Sequence, residues 1–79
     1  MSYYSDPFKY KITHHAIRRA KERLHLENRD AYYIQEKLEE CLENSVLERV
    51  DSKGNVYKNL ENNITIIVDE RLKIIKTVY

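Results

Sequence analysis

At Ser45 the hydrophobic period of this chain changes from about 3.6 to about 2, which divides it into a helical part and a strand part. Before the switch, Ala16, Ile17, Ala20 and Leu24 fall on one side of a helix that Thr13 can cap, running to about Leu26. Ala31, Ile34, Leu38, Cys41 and Leu42 line one face of a second helix, with Asn28 or Asp30 as cap and Asn44-Ser45 at its end. Glu36, Glu39, Glu40 and Glu43 are expected on its outward side. After the switch, residues 46–50, 56–60, 64–68 and 72–79 read as strands. They are separated by a turn at 51–55 holding the only glycine, by Asn62-Asn63, and by Asp69-Glu70-Arg71. The last two strands are rich in β-branched residues and are expected at the sheet centre. Residues 8–12 alternate apolar and basic and read as a first short strand that begins after Pro7. The expected architecture is β-α-α-β-β-β-β, two helices packed on one face of an antiparallel sheet, an α+β class.

Seventy-nine residues make a single small domain, 1–79, and 42% hydrophobic residues suffice for one core. Residues 1–7 read as a flexible N-terminal arm. One cysteine excludes an internal disulfide and fits a reducing cytosol. Cys41 together with His14, His15 and His25 has no recognisable metal-ligand spacing, so no metal or other cofactor is expected. No segment has the apolar length of a signal-peptide core or a membrane span, and the expected location is cytoplasmic. The net charge of +1 conceals a polarity of +4 over residues 1–25, −4 over 26–50 and +1 over 51–79. A globally basic nucleic-acid binder is thus not indicated; a locally basic first helix facing an acidic second one is.

That first helix carries two cationic rows. His15, Arg19 and Arg23 follow at i, i+4 and i+8 on one flank, and His14, Arg18, Lys21 and His25 on the other are the competing candidate contact for RNA or a partner. An imidazole one turn from guanidinium groups can move a proton near neutral pH while holding a phosphate. Metal-free RNA cleavage needs a base for the 2′-OH, an acid for the leaving 5′-oxygen, and cations for the phosphorane. His15 is the candidate base or acid, and Arg19 and Arg23 are the candidate phosphate clamp. Tyr79 is a second candidate proton donor, and Tyr57 a candidate donor or stacking platform. The structural alternative gives Arg19 and Arg23 to Glu36 or Glu40 as ion pairs, with Glu22 orienting a guanidinium and Cys41 an inert core residue.

The helix His15-Ala16-x-x-Arg19-x-x-Glu22-Arg23-Leu24 resembles the His-Ala-x-x-Arg-x-x-Glu-Arg-Ile signature of small bacterial and phage proteins grouped as a domain of unknown function. The ending from Asn63 to Tyr79, with its Ile-Ile-Lys-Thr-Val-Tyr close, is similar to that family's last hairpin. Leu24-His25-Leu26 stands where the family usually has a Gly after the Glu-Arg pair, and His14 is additional. Such domains resemble in layout the RelE/ParE-like fold shared with barnase-like and EndoU-like toxin nucleases. The resemblance implies a toxin-type, metal-independent ribonuclease or translation inhibitor and favours the His15–Arg19–Arg23 row. Its partners would be RNA or a ribosome and a protein antitoxin. The alternative is a non-enzymatic, phage-type protein that occupies a host protein or nucleic acid. A homodimer through residues 8–12 or 46–50 is compatible with either.

Overall fold

The structure, a computed structural model, describes residues 8–79, and the expected arm of residues 1–7 lies outside the described residues. In chain order it holds β1 (Lys11–Ile12), α1 (His14–Leu24), α2 (Ala31–Glu43), β2 (Val46–Asp51), β3 (Gly54–Asn59), β4 (Ile64–Asp69) and β5 (Ile74–Val78). This is the expected α+β order, with both helices on one face of a five-stranded sheet. The strands after Ser45 pair antiparallel as a meander. β1 instead joins the far edge parallel to β5, through Lys11↔Ile74 and Ile12↔Ile75, so the sheet is mixed, with the order β1-β5-β4-β3-β2.

Thr13 caps α1 by accepting from the Ala16 N–H at 3.0 Å, and Asp30 caps α2 by accepting from the Tyr33 N–H at 2.9 Å. α1 stops at Leu24, short of the expected Leu26, because His25 turns left-handed with φ of 57°. The Leu26 N–H then closes the helix end on the Lys21 carbonyl at 2.9 Å. The core forms between Ala16 and Ala20 of α1, Ile34, Leu38 and Cys41 of α2, and Ile64, Ile66, Val68, Ile75 and Val78 of the sheet. Strand alternation aims Ile64, Ile66 and Val68 at the helices, and small alanines let α1 lie close on β5. On α2 the expected apolar face is trimmed at its start, where Ala31 is exposed.

Residues 8–10 are a strap rather than strand. The Glu39 carboxylate accepts from the Lys9 and Tyr10 N–H groups at 3.1 and 2.9 Å, and Gln35 Nε2 donates to the Tyr10 carbonyl at 2.6 Å. Donors that a strand would have paired are taken by α2, so Glu39 is half-buried instead of facing outward.

Two bulges reset which residues face the helices. Lys76 is the extra residue in β5, so Ile75 and Val78 both reach the core. Glu48 is the extra residue in β2, so Leu47 and Val50 share the helix-side face, opposite Tyr57 and Asn55. On the helix-free face Val56 and Ile67 are buried although no helix covers them. Lys76 Nζ donates to the Lys53 carbonyl of the β2–β3 turn at 2.8 Å, spanning β4 on that face.

Candidate nucleic-acid interface

β1 covers the outer edge of β5 only at Ile74 and Ile75, and α1 takes over beyond them. The Thr13 N–H donates to the Ile75 carbonyl at 3.3 Å, Thr13 Oγ1 to the Lys76 carbonyl at 3.0 Å, and Arg19 Nε to the Val78 carbonyl at 3.3 Å. The first helix is therefore laid along the end of the last strand, with its polar flanks outward.

The expected rows are realised on those flanks. His15 and Arg23 are exposed and Arg19 is half-buried between them. Arg19 Nη1 donates to Glu22 Oε1 at 3.1 Å, so this guanidinium is held by a main-chain carbonyl and a carboxylate together. Of its nitrogens, Nη2 has no acceptor among the described residues. On the other flank His14 and Arg18 are exposed, Lys21 is half-buried, and His25 is the exposed left-handed cap.

The acidic α2 does not neutralise these cations. Glu40 pairs with Lys37 at 3.2 Å, and Glu39 holds the strap. Arg18, Lys21 and Arg23 form no ion pair among the described residues, which rejects the expected alternative of Arg19 or Arg23 on Glu36 or Glu40. The two helices touch through apolar side chains and turn their charged sides away from each other.

Tyr79 continues the ladder past β5: its N–H and carbonyl exchange bonds with Thr65 at 2.8 and 2.9 Å. It follows Val78, whose carbonyl binds Arg19, and strand alternation turns its ring to the helix-free face. Arg19 is thus the member of its row fixed beside the end of β5, at Val78 next to Tyr79, while the Tyr79 ring lies on the face opposite the helices.

Tyr57 is not brought to that row. It lies half-buried on β3 with its hydroxyl donated to Glu70 Oε2 at 2.7 Å, and Tyr10 donates to the same oxygen at 2.9 Å. Lys73 Nζ donates to Glu70 Oε1 at 3.0 Å. Periodicity could not reveal this cluster, because its members come from the strap, β3 and the β4–β5 turn. The Tyr57 bond, with help from Lys73 and Tyr10, holds the Glu70 carboxyl below its usual value. Burial and the Glu70 bond push Tyr10 far above the ordinary phenol range, and the Glu70 bond raises Tyr57. A lowered carboxyl stabilises the fold above its unfolded pKa near 4.5, and that contribution is lost as pH falls through the folded value. Raised phenols stabilise below their unfolded value near 10.0 and lose this as pH rises toward their folded values. Glu70→Gln is expected to lose about 1 kcal/mol at pH 7 and to flatten the acid limb, both read by urea unfolding across pH.

Cys41 is buried, and burial raises its thiol pKa, in keeping with an inert core residue. Beside α2 a groove of about 440 Å³ is lined by Phe8, Tyr32 and Tyr33 together with acids such as Glu36 and Glu43 and the lysines Lys9 and Lys37. No helix among the described residues is long and apolar enough to cross a membrane. Comparison with known protein families, curated proteins and solved structures finds no match to this chain.

Proposed function

We propose that this chain acts on RNA through the His15–Arg19–Arg23 flank of α1, as a toxin-type, metal-independent ribonuclease of the cytoplasm. The observation that carries the reading is the lack of internal neutralisation: Arg18, Lys21 and Arg23 have no acidic partner among the described residues. A fold that leaves three cations of one helix unpaired has them available for an external polyanion. Phosphate seated over the first turn would also meet the N–H groups of His14 and His15, which have no helical acceptor.

In the cleavage step His15 removes the 2′-OH proton and the 2′-oxygen attacks phosphorus. The P–O5′ bond breaks, and the 5′-oxygen leaves with a proton from Tyr79. The products are a 2′,3′-cyclic phosphate and a free 5′-OH. Arg23 and the Nη2 of Arg19 stabilise the phosphorane. An antitoxin would be a protein that covers this flank, and a ribosome would supply the RNA if cleavage is translation-linked.

One observation favours a second reading, RNA binding without turnover: Arg19 has already committed Nε to Val78 and one Nη1 hydrogen to Glu22, which removes the side-on Nε/Nη2 clamp on a phosphate. Brief induction of wild type and His15→Ala, followed by inspection of cellular RNA, separates the two. Cleavage predicts discrete fragments from wild type and a loss of about 100-fold or more in the variant. Intact RNA from both rejects cleavage. Arg18→Ala/Arg23→Ala in an RNA filter-binding assay over a salt series then tests binding. A shallower salt slope by roughly two counterions supports it, and an unchanged slope rejects it.

A further inference from the structure

The edge opposite α1 carries a second surface. β2 is the outer strand, and every residue in it is exposed. The helices pack on β5, β4 and β3, and no residue of β2 is buried beneath them. Val46, Leu47 and Val50 are 62%, 48% and 66% exposed, an apolar content at odds with a strand meant to stay single in water.

The backbone of this edge is set by its turn. Asp51 and Gly54 flank only Ser52-Lys53 and must form a directly hydrogen-bonded pair, so the ladder turns the N–H and carbonyl of Val50 outward. Past the Glu48 bulge the same alternation turns those of Leu47 outward. The bulge also puts Leu47 and Val50 on one face and Glu48 and Arg49 on the other, where Arg49 donates Nη1 to Glu48 Oε1 at 3.1 Å and Nε to Asp51 Oδ2 at 3.3 Å.

We propose that β2 pairs antiparallel with β2 of a second copy of this chain, about a twofold axis at Glu48–Arg49. Read against itself in reverse, Leu47-Glu48-Arg49-Val50 is complementary: Leu47 meets the partner Val50, and Glu48 meets the partner Arg49. Leu47 and Val50 exchange main-chain bonds across the axis, and their side chains cover each other on the helix side. The two bulges face one another, so the spacing of outward groups matches. Self-complementarity singles out a second copy over an unrelated strand. Because β2 and β1 are opposite edges, the dimer leaves the α1 flank open.

One strand pair is a small interface, so the expected Kd is on the order of 10–100 μM. Sedimentation equilibrium of the full chain from about 5 μM to about 1 mM should show a monomer–dimer equilibrium. Amide exchange at Leu47 and Val50 should slow as concentration rises, while that of neighbouring exposed loops does not. Glu48→Arg should weaken association about tenfold or more, Glu48→Arg/Arg49→Glu should restore most of it, and Val50→Lys should abolish it with the circular dichroism unchanged. A monomer at about 1 mM overturns the proposal and leaves the edge to a strand of another protein. A dimer that leaves the Leu47 and Val50 amides fast overturns it as well.

Discussion

Gly54→Ala is expected to destabilise the fold by about 3 kcal/mol, enough to lower Tm by roughly 12 °C or more in a domain of this size. Gly54 sits at φ of 135°, a conformation that an L side chain rarely adopts. Its absent Cβ would lie 2.5 Å from the Val68 carbonyl oxygen and 3.2 Å from the Val68 carbonyl carbon. Those atoms are backbone of the neighbouring strand and cannot swing aside like a flexible side chain. Relief requires β3 and β4 to separate at Asn55↔Val68, next to the buried Val68. Thermal unfolding measured by circular dichroism checks this. A loss below about 1 kcal/mol would mean that the turn relaxes without opening the ladder.

Asn59→Ala should cost a similar amount, about 3 kcal/mol, for a different reason. Asn59 is fully buried and polar, and it joins two elements. Its Nδ2 donates to the Cys41 carbonyl at the end of α2 at 2.9 Å. Its Oδ1 accepts from the Asn62 N–H at 2.7 Å and from Asn62 Nδ2 at 3.1 Å, which fixes the β3–β4 turn. Alanine strands the Asn62 N–H, leaves Asn62 Nδ2 with only the Cys41 Sγ at 3.4 Å, and opens a small void. Asn59→Asp provides the control: it keeps the acceptor, loses the donor and buries a charge. Its carboxyl pKa should be raised by that burial, so this variant should gain stability relative to wild type as the solution is acidified toward that pKa. Denaturant unfolding of both variants at pH 7 and near pH 5 reads out the difference.

Most of the layout was legible because its signals are local. Thr13 and Asp30 announce the helix starts, and the switch of period at Ser45 announces the meander. Ile64, Ile66 and Val68 announce a strand with a core face. What stayed hidden depends on contacts far apart in sequence. Lys11–Ile12 could have paired antiparallel or not at all; its parallel seat on β5 goes with α1 continuing along the same strand, from Ile75 at Thr13 to Val78 at Arg19. Residues 8–10 carry a strand pattern, yet Glu39 competes successfully for their N–H groups. Helical spacing gave both cationic rows of α1, but it could not tell that Glu39 and Glu40 of α2 would find other partners. Arg19 illustrates the gap: its place in a row was readable, whereas its tie to Val78 was not.

The seating of α1 on β5 also governs when the molecule can assemble during synthesis. A ribosome releases the N-terminal part first, but the strand that cradles α1 is Ile74–Val78, the last element in the order. A nascent chain whose β5 is still inside the exit tunnel can close the β2–β3 and β3–β4 hairpins, since those contacts are local. It can bring α1 against α2, but it lacks the strand on which α1 makes most of its contacts. Thr13 lacks its Ile75 and Lys76 carbonyls, and Arg19 lacks that of Val78. The cationic flank therefore acquires its fixed geometry only after the last strand emerges, so a chain stalled in translation would carry the same residues without the arrangement.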